Sequence, residues 1–272
     1  MACRTIPSKI TAVLNVRMFA AGSATLELHS YGGSDIGRRR KTNEDAYLCD
    51  DELGLWIVAD GMGGHAAGEV ASNEACDAIW GMVKRGRPAV DASAKKVRED
   101  RAARLLEGAV QSATYMVYAM AELDSGKAGM GTTISAMMRT GNRALLAQVG
   151  DSRIYRIRDG VAEQLTEDHT LVAWQIKQGL ISEEDARTSK QRNVITRAVG
   201  NRDYVQVDIT HVDLLVRDVF LLCSDGLHGY LDIHEVAGLA STGGDLAVHH
   251  FLELANSRGG RDNITAVIVE VW

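Results

Sequence analysis

The chain has 272 residues, of which 46% are hydrophobic and two are prolines, and a formal net charge of -6 at neutral pH. This length and apolar content are sufficient for one large domain with a full core. The negative charge argues against nucleic acid as a partner, because backbone phosphates bind basic surfaces. No uncharged apolar stretch approaches the roughly 20 residues that span a bilayer, and the four cysteines lack zinc-ribbon or disulfide spacing. We therefore expect a cytoplasmic protein with reduced thiols and no membrane partner.

Residues 1–23 are expected to form a loosely ordered N-terminal extension. The stretch 10–24 is mildly apolar but carries Arg17, so it lacks the layout of a signal peptide. Met18 is an alternative first residue. A single domain is expected to cover residues 24–272.

Strand-like apolar runs alternate mostly with turns, which predicts antiparallel pairing. Apolar residues at helical spacing predict two long helices, around residues 70–83 and 105–120. The predicted strands lie near residues 25–31, 46–48, 55–59, 132–138, 144–149, 154–158, 205–212, 219–224 and 264–271.

The pattern changes between residues 165 and 200, where short helical pieces are predicted at 171–178 and, capped by Ser182, at 183–187. Two interpretations of this segment stay open. It is either a flap that touches the substrate beside a catalytic mouth or a surface excursion.

Two further helix starts are predicted near the C-terminus. Asp232 and Glu235 have the spacing of a capping pair, and Asp245 is predicted to cap a helix that runs to about Asn256. Gly259 lies just beyond the end of that helix, as is common at helix C-termini.

Four apolar runs of strand character border an aspartate. Three of them end at Asp60, Asp151 and Asp225, each followed by glycine or serine, and Asp262 opens the last run. One Asp-Gly pair after a strand is usually a turn, but four acids on separate strands predict one mouth lined with negative charge. Gathered carboxylates need a hard cation, so the pattern indicates a Mg²⁺ or Mn²⁺ site.

Carboxylates that hold two such ions favour hydrolysis of a phosphoester by a metal-activated water. Other phosphatase chemistries lack their motifs here. No cysteine is followed six residues later by arginine, and no Asp-x-Asp pair occurs. Gly126-Lys127 is followed by Ala128 and not by the serine or threonine of a Walker A loop.

Seven short motifs follow one another along the chain, at residues 35–45, 58–65, 131–133, 149–153, 192–200, 224–226 and 261–263. In these motifs and in their order, the chain resembles the PP2C-like (PPM) metal-dependent protein serine/threonine phosphatases of bacteria over residues 24–272. The resemblance implies an α+β fold, a four-layer α-β-β-α sandwich in which two central antiparallel sheets are flanked by helices. The metals would lie in a cleft at one end.

The same resemblance implies a binuclear Mn²⁺ or Mg²⁺ centre. Asp60 is similar in position to the ligand that bridges both ions, and the carbonyl of Gly61 would serve the second ion. Asp225 and Asp262 would complete the first site.

Further acids and one arginine are implied around this centre. Glu44 and Asp45 resemble outer acids that hold metal-bound waters. Asp151, together with Asp225, matches a site for a weaker third ion. Arg40 matches the phosphate-binding arginine, whose planar fork suits two phosphate oxygens.

Histidines are weaker candidates. His65 is a candidate general acid, although family members with an acid histidine carry it directly after the Asp-Gly pair, where this chain has Met62. We interpret His169 as structural or solvated and residues 131–133 as a packing feature beneath the site. The chain departs from the family at Ser189-Lys190, where a His-Pro pair is common, which leaves the flap conformation and substrate preference open.

The function implied is hydrolysis of phosphoserine and phosphothreonine in proteins by a monomer that opposes a bacterial serine/threonine kinase. Two alternatives stay open. The chain could act on other phosphoesters, including phosphotyrosine, or it could be a catalytically silent binding module. Retention of Arg40, Asp60, Asp225 and Asp262 argues against the silent module.

Overall fold

A computed structural model describes residues 26–63 and 67–272, so the predicted extension at residues 1–23 lies outside the described part. The strands are β1 (Leu28–Asp35), β2 (Asp45–Asp50), β3 (Leu55–Met62), β4 (Gly131–Thr132), β5 (Ile134–Thr140), β6 (Arg143–Val149), β7 (Arg153–Arg158), β8 (Val161–Gln164), β9 (Asp208–Asp213), β10 (Val219–Cys223) and β11 (Ile264–Val271). The α-helices are α1 (Ala67–Asp91), α2 (Lys95–Leu123), α3 (Leu171–Lys177), α4 (Glu183–Thr188), α5 (Asp225–His228), α6 (Ile233–Ala240) and α7 (Gly244–Ser257).

The strands form two antiparallel sheets, as the turn-rich spacing predicts. Sheet I has the order β1-β11-β10-β7-β8, and sheet II has the order β2-β3-β5-β6-β9, with β4 paired to β3. In sheet I the last strand, β11, lies between β1 and β10. Sheet I therefore forms only when the C-terminal strand pairs with the first one.

The apolar runs are nearly continuous because the strands are buried on both faces. In β3, Leu55 and Ile57 pack with α1 and α2, while Trp56 and Val58 pack in the core between the two sheets. Successive side chains of a strand point to opposite faces, and here both faces are buried. A third core lies between sheet I and helices α6 and α7. The result is the predicted α-β-β-α sandwich.

Several element boundaries differ from the sequence-based expectations. Strand β1 is shifted toward the C-terminus relative to the predicted 25–31, β9 starts later than predicted, and neither β8 nor the short α5 was predicted. Helix α1 continues through Pro88 to Asp91. Pro88 has no N–H to donate to the Lys84 carbonyl, and only three residues of the helix follow it.

The capping predictions are confirmed at two of three helices. Ser182 and Asp232 each form a capping box with the residue three positions later. The prediction for Asp245 is wrong, because α7 begins at Gly244 and its N-cap is Gly243, whose φ of 68° favours glycine. Asp245 lies in the first turn, where a carboxylate still interacts favourably with the helix dipole.

No helix within residues 26–63 and 67–272 combines the length and the apolar character needed to cross a bilayer.

Replacing Phe251 by alanine should test the core between α7 and sheet I. Phe251 is fully buried, so Phe251→Ala should lower the free energy of unfolding by about 3–5 kcal/mol through lost burial and a new cavity. Leu246→Ala on the same helix removes a side chain that is 53% exposed and should change it by about 0.5 kcal/mol or less. Urea denaturation of both variants would measure the difference, and equal losses would contradict this account of the layer.

Candidate metal centre

The strand order places the four bordering aspartates at one end of the sandwich. Asp60 lies near the end of β3, and Asp151 lies in the turn that carries the chain from β6 in sheet II to β7 in sheet I. Asp225 follows β10 and Asp262 precedes β11, and these two strands are antiparallel neighbours. Because the end of β10 pairs with the start of both β7 and β11, the acids meet at the same edge.

Backbone hydrogen bonds hold Asp60 in place. The Asp60 N–H donates to Thr133 Oγ1 at 2.9 Å, and the Asp60 carbonyl accepts from the Thr133 N–H and the Thr132 hydroxyl, both at 2.9 Å. The Thr133 hydroxyl also lies 2.8 Å from Ser152 Oγ, beside Asp151. The motif 131–133 is therefore more than the packing feature we expected, since it connects Asp60 to the Asp151 turn.

Gly61 is required by close backbone approach. A Cβ at this position would collide with the carbonyl oxygens of Gly68 and Glu44. Gly68, in the first turn of α1, would in turn meet the Glu44 carboxylate. Three backbone segments therefore converge beside Asp60 with no room for a side chain.

Asp45 joins the two sheets at this end. It is directly opposite Asp60 in the β2–β3 register. Its Oδ2 accepts from Oγ of Ser224, the residue after β10, at 2.8 Å and from Oγ1 of Thr265 in β11 at 2.6 Å. Burial raises the pKa of Asp45 to about 7, although these two hydrogen bonds oppose the shift.

The neighbouring acids raise one another's pKa. Burial, and then the charges of Asp45 and Asp225, raise the pKa of Asp60 well above its usual value. Burial and the charge of Asp262 raise the pKa of Asp225, against a hydrogen bond with Asp60. Burial and Asp225 raise the pKa of Asp151 to about 7. These carboxylates therefore share one poorly solvated region and favour a bound cation.

The loop that precedes β2 brings Arg40 and Glu44 to the same region. Arg40 Nη2 lies 2.7 Å from Asp262 Oδ2, and both side chains are partly exposed. Asn263 Oδ1 accepts from the Glu44 N–H at 2.9 Å, and Asn263 Nδ2 donates to the carbonyls of Ile36 and Thr42. Burial raises the pKa of Glu44, against the attraction of Arg40. Asn263 was not assigned a role from sequence, and its amide holds this loop.

The donor set fits hard dications. The acids brought together supply only oxygen ligands, which Mg²⁺ and Mn²⁺ prefer. Within the described ranges 26–63 and 67–272, no group of three or more His, Cys, Asp or Glu side chains lies close enough together to hold a metal ion as the side chains stand. Asp262 is engaged by Arg40, and Asp45 by Ser224 and Thr265, so a binuclear centre would also need main-chain and water ligands.

Two histidines contact the Asp151 turn, although sequence reasoning assigned them no part in the site. The half-buried His228 of α5 donates from Nε2 to the Asp151 carbonyl at 2.9 Å, and partial burial lowers its pKa to about 4. His169 accepts from the Gly150 N–H. An Asp-Gly pair after a strand can be recognised in the sequence as a candidate site, whereas these histidine contacts join residues that are far apart in sequence.

The candidate general acid His65 lies outside the described residues.

Gly61→Ala tests whether the close backbone packing beside Asp60 is required for metal binding. Overpacking against Gly68 and Glu44 should cost about 1–3 kcal/mol of folding free energy and weaken Mn²⁺ binding, measured by calorimetric titration. Gly238→Ala is the control, because a Cβ there meets open space and alanine in a helix should stabilise by roughly 0.5–1 kcal/mol. Unchanged Mn²⁺ affinity in the Gly61 variant would contradict the proposed convergence.

Comparison with known proteins identifies the family. The family model for protein phosphatase 2C matches residues 33–253. A serine/threonine phosphatase stp of Listeria innocua is 36% identical over 248 residues, which cover 89% of this chain and 96% of the relative. The serine/threonine protein phosphatase PstP of Mycobacterium tuberculosis is 37% identical over 256 residues, covering 91% of this chain and 46% of the relative.

A solved structure agrees with the observed fold. The catalytic domain of PstP in complex with two manganese ions superposes with a TM-score of 0.79 and 33% identity, covering 91% of this chain and 99% of that domain. The shared architecture includes two antiparallel sheets flanked by helices. With the matched family model and these relatives, the chain belongs to the protein phosphatase 2C family of metal-dependent protein phosphatases.

Proposed function

We propose that this chain removes phosphate from phosphoserine and phosphothreonine side chains of proteins, the activity that the names of its relatives indicate. The observation that carries the proposal is the convergence of Asp60, Asp225 and Asp262 at one end of the sandwich, in one electrostatic environment. Such a set of oxygens is suited to the binuclear hydrolysis of a phosphoester.

In this proposal Asp60 would be a ligand of both Mn²⁺ or Mg²⁺ ions. The Gly61 carbonyl would serve the second ion, Asp225 and Asp262 would complete the first site, and Asp151 together with Asp225 would hold a weaker third ion. When bound, the ions supply an acidified water for attack on phosphorus and neutralise phosphate charge. The two manganese ions in the PstP complex support the stoichiometry of the main pair.

The remaining groups would position water and substrate. Glu44 and Asp45 would hold metal-bound waters through their carboxylates. Arg40 would bind two phosphate oxygens, because its partly exposed guanidinium lies 2.7 Å from the carboxylate of Asp262 and therefore within reach of a phosphate bound beside it.

We further propose the wider setting of this activity. Residues 165–200 would form a flap that contacts the substrate, a role supported by the exposed side chains of Trp174, Leu180 and Val194. The chain would act as a monomer in the cytoplasm and oppose a serine/threonine kinase. The absence of disulfide spacing among the cysteines supports that compartment.

A panel of phosphopeptides that differ only in the phosphorylated residue tests the substrate class. Turnover of phosphoserine and phosphothreonine peptides well above the phosphotyrosine peptide supports the proposal. Preference for phosphotyrosine would favour the broader phosphoesterase, and binding without turnover in saturating Mn²⁺ would favour a silent binding module.

Metal removal and loss of the proposed bridge should have the same effect. Chelation should abolish hydrolysis of an aryl phosphate, and Asp60→Asn should lower kcat/KM about 100-fold or more, because metal ions supply several kcal/mol of charge stabilisation. Asp77→Asn is the control, since it makes the same charge change on the exposed face of α1. Full activity in chelated buffer would exclude the metal mechanism, and a normal rate with normal metal content in Asp60→Asn would exclude the bridge.

Arg40→Ala should mainly raise KM for a phosphopeptide, because the proposed contact already exists in the ground state. Loss of a hydrogen bond to a charged group should lower kcat/KM about 10-fold to 100-fold, measured by steady-state kinetics at two salt concentrations. Arg38→Ala and Arg39→Ala are controls with the same charge change. If all three variants weaken binding equally and added salt removes the difference from wild type, the basic run acts as a diffuse patch.

A further inference from the structure

His169 is joined by two hydrogen bonds to the turn that carries Asp151. The backbone N–H of Gly150 donates to the ring nitrogen Nδ1 of His169 at 3.2 Å. In return, the backbone N–H of His169 donates to the Gly150 carbonyl at 2.9 Å. The His169 side chain is 5% exposed. Gly150 has a φ of 99°, a conformation that favours glycine, so the reciprocal pair of bonds holds a turn that few other sequences would adopt.

The position of the ring proton follows from these contacts. A backbone N–H can only donate, so Nδ1 of His169 is unprotonated and the proton lies on Nε2. Nε2 is 3.0 Å from Asp208 Oδ2 and 3.1 Å from Arg197 Nη1. Both nitrogens are donors, and Arg197 Nη1 donates to Asp208 Oδ1 at 2.8 Å, so the Asp208 carboxylate is the group that accepts from the Nε2–H. Burial lowers the pKa of His169, in agreement with a neutral ring. Asp208 therefore orients the ring through its far nitrogen.

The same histidine connects the turn to residues 165–200. The His169 carbonyl accepts from the Thr196 N–H at 2.8 Å and from the Thr196 hydroxyl at 3.0 Å. Residues 169 and 196 lie near the two ends of that segment, so its ends meet at His169. His169, which is itself part of the proposed flap, thus bonds both to the far end of that segment and to the turn that holds Asp151.

We propose that His169 is a positioning residue that couples the segment 165–200 to the carboxylate of Asp151 through the Gly150 amide. The inference rests on the proposed role of Asp151 as a ligand of the weaker ion. A histidine that only filled the core would be replaceable by any side chain of similar size. Coupling through Nδ1 instead requires an acceptor at that atom's position.

Two substitutions distinguish these roles. His169→Asn places its carbonyl oxygen near the position of Nδ1, so it keeps an acceptor for Gly150. His169→Gln places its amide nearer to Nε2, so it keeps a partner for Asp208 and loses the acceptor. His249→Asn, on the exposed face of α7 where His249 pairs with Glu253, controls for the substitution itself.

The measurements are calorimetric titration of the full chain with Mn²⁺, the melting temperature, and kcat and KM for a phosphoserine peptide. His169→Gln should weaken the weakest Mn²⁺ site about 10-fold to 100-fold, as loss of a group that orients a ligand usually does, while His169→Asn should bind like wild type. Equal affinities in both variants, the reverse order, or losses that simply follow the melting temperature would overturn the inference.

The double variant with Asp151→Asn separates this inference from the ligand assignment. If His169 acts only through Asp151, Asp151→Asn alone and combined with His169→Gln should have the same Mn²⁺ isotherm. A normal isotherm in Asp151→Asn would overturn the ligand assignment and this inference together. Loss of the weak site in Asp151→Asn but not in His169→Gln would overturn this inference alone.

Discussion

Confinement of several carboxylates to one poorly solvated edge is the constraint on which the rest of the structure depends. Burial and mutual repulsion raise the pKa of Asp45, Asp60, Asp151 and Asp225, and an unpaired buried charge is costly. A chain that keeps such a group must offset it with hydrogen bonds, an opposing charge or a cation. In this chain Ser224 and Thr265 donate hydrogen bonds to Asp45, and Arg40 supplies an opposing charge to Asp262. The structure of the relative PstP contains two manganese ions.

The hydrogen bonds that offset this cost also hold the sandwich together at its functional end. Asp45 of sheet II accepts from Ser224, the residue after β10, and from Thr265 in β11, and Asn263 holds the backbone of the loop that carries Arg40. Apolar packing joins the sheets along the rest of their length. Groups at this end therefore combine a structural and a chemical role, so substitutions here need stability measurements beside kinetics.

In the function proposed here, the strand ends and the segment 165–200 have different tasks. The acids lie at strand ends, and a site built on strands is positioned more precisely than one built on loops. This placement favours a fixed reaction geometry. Residues 165–200 instead present exposed apolar side chains such as Trp174, suited to contact with a protein substrate. His169 lies where these two parts meet, and its hydrogen bonds offer a route by which substrate contact would influence the Asp151 turn.

The sequence by itself determined which strands exist in outline, that four of them border aspartates, and the family whose motifs it carries, because periodicity and short motifs are local properties. The capping prediction at Asp245 failed because Gly243 has a backbone conformation that side-chain preference does not reveal. Only the tertiary structure decided that Asp45 pairs with Ser224 and Thr265, which are 179 and 220 residues away, and that His169 reaches the Gly150 amide. Such contacts depend on strand order and on the packing of distant segments, and no local pattern encodes them.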